Sequence, residues 1–244
     1  MVIPGLIEMH CHILPGVDDG SKDTETSVKM LRRLALQGAE TVVLTPHYYS
    51  DSISLADFTA RRNAAFANLQ AALPPDAPRL LLGAEVYVSR YLMNNADLTP
   101  ICITGTRCAL LEHNFSDNFG SETLDRITAL TCDHGIRPIL AHIERYKALM
   151  DHPGLIDELR DMGCATQVNI SAFANASFGA RRKLLKYLDS GRIDLIGSDC
   201  HNLGTRPRCR RDRQKIWRQR PASLNPKCPH PVGLLKAHKK ARLL

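Results

Sequence analysis

From Val2 to Ile196, short apolar runs alternate with stretches of helical periodicity, and this alternation restricts the fold more than any other feature of the chain. The expected strands are Val2 to Met9, Thr41 to Leu44, Leu80 to Glu85, Ala109 to Glu112, Pro138 to Ala141, Thr166 to Ile170 and Ile193 to Ile196. Helices are expected over 23–37, 54–73, 122–134, 154–162 and 179–190, with a short helical segment beginning near Ser89. The first helix shows the pattern: Val28, Leu31 and Ala35 share a face, the first turn is acidic, and Gly38 stands at the stop. Strands separated by helices imply a mostly parallel sheet with right-handed crossovers. A chain of 244 residues with 44% hydrophobic content suffices for one sizeable core, so a single α/β barrel is the expected architecture.

Residues able to hold a divalent cation fall at or near the carboxyl ends of these strands. His10-Cys11-His12 ends the first apolar stretch, and Asp18-Asp19-Gly20 follows shortly after. Two histidines at i and i+2 on an extended segment point to the same side, which is a chelating geometry, while Cys11 is expected to face the barrel wall. His47, Glu85, Glu112, His142, Asp199 and His201 continue the series. One histidine at a strand end is ordinarily a core or turn residue, but an ordered set on the face where barrels of this type carry their chemistry implies a site. Imidazole and carboxylate without thiolate suit Mn, Fe or Zn and argue against a structural cysteine-zinc site.

Charge is distributed unevenly. The formal net charge is +7, but residues 206–244 contain thirteen Lys or Arg and the single acid Asp212, leaving nineteen bases against twenty-four acids in 1–205. A basic tail on an acidic body weakens the case for nucleic acid as the partner. Eight cysteines without close, regular spacing, and a start on a strand-like segment in place of a basic apolar leader, favour the cytoplasm. No apolar run is long enough for a membrane span.

The motifs HCH with DDG, TPHY (45–48), GAEVY (83–87), LLEH (110–113), AHIERY (141–146) and SDCHN (198–202) together resemble the PHP (polymerase and histidinol phosphatase) superfamily. Within it they are most similar to the bacterial manganese-dependent protein tyrosine phosphatases of capsule and exopolysaccharide gene clusters. The resemblance covers roughly residues 3 to 207. It implies a distorted (β/α)7 barrel with up to three metal ions, Mn by family, at the carboxyl face of the strands. His10, His12, Glu85 and Asp199 would surround the first ion, Glu85, Glu112 and His142 the second, and Asp19, His47 and His201 the third. It further implies hydrolysis of phosphotyrosine by a water activated between the cations, without a phosphoenzyme. Arg145 and Arg206 would contact the phosphate, for which the forked guanidinium is suited. The implied substrate is the tyrosine-rich tail of a bacterial tyrosine autokinase that controls capsule and exopolysaccharide synthesis.

Other chemistries fit parts of the pattern. Cys200 to Arg206 has the C-x5-R count of cysteine-dependent tyrosine phosphatases, but the same stretch carries Asp199 and His201 at its start, so a chance match is the better reading. A similar metal cup could hydrolyse histidinol phosphate or a phosphodiester, and a metal-stabilised scaffold could hold a polyanion through its basic tail. After Pro207 the resemblance stops. The segment 208–244, rich in Arg and Pro, reads either as a basic disordered tail or as an ending created by a change of reading frame near Arg208.

Overall fold

The computed structural model describes residues 3–204; Arg206 and the tail 208–244 lie outside the described residues. Local signals set the elements. Asp23 accepts the Thr26 backbone N–H and starts α1 (Thr24–Leu36), with Glu25 in the first turn, while Ser54 caps α2 (Leu55–Ala71) through the Asp57 N–H. The strands are β1 (Leu6–Cys11), β2 (Ala39–Leu44), β3 (His47–Tyr49), β4 (Arg79–Leu82), β5 (Glu85–Tyr87), β6 (Cys108–Glu112), β7 (Arg137–Leu140), β8 (Ala165–Asn169) and β9 (Leu195–Gly197). Helices α3 (Ser121–Cys132), α4 (Lys147–Asp151), α5 (Pro153–Asp161), α6 (Ile170–Asn175) and α7 (Phe178–Asp189) complete the alternation, and the segment after Ser89 is a 3-10 turn, Arg90–Asn94.

All the strand pairings are parallel, as strands joined by helical crossovers require. One sheet has the order β1-β2-β4 and the other β3-β5-β6-β7-β8-β9. β2 and β3 are a single course interrupted at Thr45-Pro46, and β4 and β5 another interrupted at Gly83-Ala84. Backbone bonds cross both breaks, from Gly83 N–H to Leu44 O and from Glu85 N–H to Pro46 O. The far ends meet where Asp199 N–H donates to His10 O and His12 N–H to Cys200 O. Seven strand courses therefore run round a distorted barrel whose β1–β9 seam is joined by an isolated bridge, Cys11 to Cys200, instead of a regular ladder.

Several boundaries differ from the sequence expectation, among them Ile170, which opens α6 instead of ending its strand, and the last strand, which starts at Leu195. The first strand starts at Leu6 because Pro4-Gly5 turns the chain before it. His47 and Glu85 open short second segments after the breaks, so neither stands at the end of its strand.

Met9, Val43, Leu81, Leu110, Ile139 and Leu195, one from each of six courses, form an apolar plug inside the barrel. Two larger clusters pack the helices against its outside, with α1 and α2 over one arc and α3, α5 and α7 over another. Period-two alternation carries the inward side from this plug to the polar residues above it: Leu81 to Gly83 to Glu85, and Val43 to Thr45 to His47. β1 follows a different route. Glu8 pairs with Val42 but Cys11 with Leu44, so β1 has one extra residue, and this bulge lets Ile7 and Met9 join the plug while His10 and His12 join the polar layer. Cys11 points into the outer core, with its thiol donating to Val43 O.

Candidate metal centre

The polar layer above the plug gathers nine side chains in three overlapping groups. His10, His12, Glu85 and Asp199 form one, Glu85, Glu112 and His142 a second, and His12, Asp19, His47 and His201 a third, the ligand atoms of each lying within 4.8 Å of one another. The nine residues expected from the sequence to hold metal are thus brought together in the expected grouping, with His12 reaching the third group as well.

Glu85 stands at the centre. Its Oε2 lies 3.1 Å from Nε2 of both His10 and His12 and 3.2 Å from His47 Nδ1, yet it has no hydrogen-bond partner. Its other oxygen, Oε1, meets His142 Nε2 at 2.8 Å, and His142 in turn lies 3.4 Å from Glu112 Oε1. Asp199 Oδ1 is 3.5 Å from both His10 and His12, and Asp19 Oδ1 is 3.7 Å from His47 and 3.6 Å from His201. Lone pairs converge on shared points, and the buried Glu85 Oε2 is left without a partner among them; a buried carboxylate oxygen so placed is costly unless a cation fills the gap. The donor set is imidazole nitrogen and carboxylate oxygen, so the residues fit Mn, Fe or Zn.

Electrostatics follow the same logic. Burial works to raise the Glu85 and Asp199 carboxyls, but the neighbouring histidines overcome it and hold both below the usual carboxylate range. Glu112, buried and close to the Glu85 charge, is pushed up to about 7. Burial opposes protonation of His12, but the carboxylates of Asp18, Asp199 and Glu85 raise it well above the ordinary histidine value. The carboxylates thus favour the protonated forms of His10 and His12, and a metal ion would compete with those protons for the same nitrogens.

Several side chains that aim these groups escaped the sequence reading. Asp18 Oδ2 holds His12 Nδ1 at 2.7 Å and accepts the His47 backbone N–H at 3.0 Å. Gln167 Oε1 lies 3.2 Å from His10 Nδ1 and accepts the His142 N–H at 2.8 Å. Asn169 donates to Asp199 Oδ2 at 2.8 Å. Fixing the outer ring nitrogen turns the inner one toward the cluster. The signal for Gln167 and Asn169 was present: two polar residues at i and i+2 near the carboxyl end of a strand. Arg145 follows the left-handed His142 (φ +32) in a 3-10 turn; it is half-exposed and ion-pairs with Asp199 Oδ2 at the mouth of the barrel. Arg206, the other expected phosphate contact, lies outside the described residues. No helix of the described residues is long and apolar enough to cross a membrane.

The family model described as "Capsular polysaccharide synthesis, CpsB/CapC" matches residues 6–221. The chain belongs to the CpsB/CapC family. Its relatives include the tyrosine-protein phosphatase CpsB of Streptococcus pneumoniae, 31% identical over 211 residues, which are 83% of this chain and 85% of that protein. The tyrosine-protein phosphatase YwqE of Bacillus subtilis (strain 168) is 30% identical over 207 residues, 82% of this chain and 79% of that one. Among solved structures, this CpsB/CapC-family chain shares its fold, at a TM-score of 0.66 and 24% identity, with a structure from work on YwqE of Bacillus subtilis and CpsB of Streptococcus pneumoniae, there described as metal-dependent tyrosine phosphatases; 82% of this chain and 81% of the other are covered.

Proposed function

We propose that this chain is a metal-dependent protein tyrosine phosphatase whose ligands are His10, His12, Asp19, His47, Glu85, Glu112, His142, Asp199 and His201, with Mn as the working ion. The observation that carries the reading is the overlap of three ligand groups, two of them sharing Glu85, with Arg145 paired to Asp199 of the cluster, in a chain of the CpsB/CapC family. Divalent cations bound there supply Lewis acidity toward phosphate oxygens and make water a better nucleophile near neutral pH.

The chain's own residues do the rest. Asp18, Gln167 and Asn169 keep the ligand atoms aimed inward, so little reorganisation accompanies binding of the phosphate. Arg145, at the mouth, offers paired N–H donors to a phosphate oxygen, with Arg206 as a second contact. Water adds to phosphorus, the bond to the tyrosyl oxygen breaks, and the phenol leaves. Its pKa of about 10 demands less help from a general acid than an alkyl alcohol would. The proposed substrate is the phosphorylated tyrosine tail of a bacterial tyrosine autokinase governing capsule and exopolysaccharide synthesis, a strongly anionic segment suited to a cationic cup. On this reading the enzyme works in the cytoplasm, residues 1–207 form the phosphatase domain and 208–244 a basic tail; the family match itself runs on to 221.

The test is hydrolysis of a phosphotyrosine peptide beside a phosphoserine peptide, histidinol phosphate and single-stranded DNA, by metal-stripped protein with and without Mn. Mn-dependent release from phosphotyrosine is expected, falling at least about tenfold in kcat/KM for Arg145→Ala. Metal-independent turnover, or preference for histidinol phosphate or DNA, would overturn the reading.

A further inference from the structure

The alternation that brings His47 and Glu85 into the barrel continues two residues further, to Tyr49 and Tyr87. β3 and β5 pair in register, with Tyr49 opposite Tyr87, and Tyr87 in turn faces Glu112 of β6. The two tyrosine rings lie 5.9 Å apart, and the Tyr49 ring stacks on His47 at 5.4 Å. Two residues of strand rise by roughly 7 Å, so these rings form a storey above the ligands of their own strands. That depth admits a phosphate and its ester oxygen below and a ring at the level of the tyrosines.

A second aromatic surface faces the cluster from another side. Phe115 meets the His142 ring edge-on at 5.7 Å, and the Arg145 guanidinium stands 5.7 Å from the Phe115 ring centre. His47 and His142 each contact Glu85, so Tyr49 and Phe115 each stand one ring removed from the carboxylate at the centre of the site. Both rings are open to solvent, Tyr49 39% and Phe115 46% exposed. Tyr146 shows what a packing role looks like here: it is fully buried and its hydroxyl accepts the His113 backbone N–H. Tyr49 and Phe115 lack that burial, and each is in ring contact with a histidine of the ligand cluster.

We propose that Tyr49, Tyr87 and Phe115 form an aromatic subsite that receives the ring of an aryl phosphomonoester while its phosphate occupies the ligand cluster below. The inference rests on the phosphatase reading for the place of the phosphate, and deepens it by naming the residues that select an aryl over an alkyl ester. Offset or edge-to-face contacts with the substrate ring supply the selection, and an aliphatic ester makes none of them.

The experiment measures binding of phenylphosphonate and methylphosphonate, neither of which can be hydrolysed at an ester bond, to Mn-loaded full-length protein by calorimetry. In parallel, kcat and KM are measured on phosphotyrosine and phosphoserine peptides. Wild type should bind phenylphosphonate at least about tenfold more tightly than methylphosphonate. The preference should fall toward unity in Tyr49→Ala/Phe115→Ala, with the loss on phosphotyrosine peptide appearing mainly in KM. Tyr49→Phe, which keeps the ring, should retain the preference; its loss there would assign the selection to the hydroxyl and overturn the ring subsite. Equal binding of the two phosphonates by wild type, or an unchanged ratio in the double variant, would also overturn it, even in an active phosphatase. A phenyl preference that the double variant loses, in a protein that hydrolyses neither peptide, would uphold the subsite and sink the phosphatase reading instead.

Discussion

At the residue scale, the site depends as much on what is missing as on what is present. Gly197 points inward below the ligands; a Cβ there would stand 2.7 Å from His10 Cβ and 3.0 Å from Gln167 Nε2. Gly20 closes the Asp18-Asp19 loop onto β1, and a Cβ there would fall 2.0 Å from His12 O, a backbone atom that cannot move aside. Gly20→Ala should therefore cost more than about 2 kcal/mol, within the range of backbone clashes and overpacking, and shift the urea midpoint down at unchanged slope; an unchanged midpoint would show that the loop is free to move. Gln167 is the other decisive residue, because one amide oxygen serves His10 Nδ1 and the His142 N–H together. Gln167→Leu leaves both without that acceptor, and Mn affinity is expected to fall by about 10- to 100-fold, the usual cost of losing a group that orients a ligand. Titration of metal-stripped protein with Mn measures this, and an affinity within twofold of wild type would show that Gln167 does not aim the histidines.

At the scale of elements, the loops at the barrel mouth are held by side chain to backbone bonds, and the one between β6 and α3 has a titratable anchor. Asp117 accepts the Phe119 N–H and the Thr123 hydroxyl and lies 3.7 Å from His113 Nδ1, while Phe119 takes φ +55 and buries its ring against Tyr146. Partial burial works to raise the Asp117 carboxyl, but the His113, Phe119 and Thr123 contacts win and hold it at about 2. A carboxyl depressed in the folded state stabilises above its ordinary value near 4, and that contribution fades as pH falls toward 2. Discounted for solvent screening, the contribution is about 1 kcal/mol. Asp117→Asn should lose it at pH 7, and the gap to wild type should narrow steadily below pH 4 and close only below about pH 2, as followed by denaturant melts across that range; a pH-independent gap would assign the loss to geometry instead of charge. Element boundaries also show how much was legible in the sequence. Helices with caps and amphipathic spacing, such as Thr24–Leu36, fall within a residue or two of the expectation, because capping and periodicity are local. The β1 bulge, the breaks at Thr45-Pro46 and Gly83-Ala84, and the reach of Gln167 and Asn169 to the ligands are set by pairing between distant strands, to which local periodicity is blind. The ligand residues were legible because most are polar groups within, or a few residues past, short apolar strand segments. Their mutual distances came only from the closing of the barrel.

At the scale of the whole molecule, the barrel brings together ligands from near both ends of the described chain. β1 and the residue after it supply His10 and His12, the segment after β9 supplies Asp199 and His201, and the β1–β9 seam holds these two stretches together through a few backbone bonds. Four carboxylates and five imidazoles crowd above one apolar plug, so the metal-free protein keeps buried, unpartnered polar atoms where the ring is least regularly hydrogen-bonded. Cations bound among these groups would tie β1 to β9 directly, and any ligand that binds the folded state alone adds RT ln(1 + [L]/Kd) to its stability. At a hundredfold excess over Kd this is about 2.7 kcal/mol per site, which for a chain of this size corresponds to a rise in Tm of roughly 5–10 °C. Because binding releases protons from imidazole and carboxyl groups, the rise should be larger at pH 8 than at pH 6. Thermal melts of chelator-treated protein with and without Mn test this, and His12→Ala should remove most of the gain, because His12 belongs to two of the three groups. A Tm indifferent to Mn at both pH values would mean that the seam is secured by its backbone bonds and core alone, and that the nine residues do not act as one metal-linked unit.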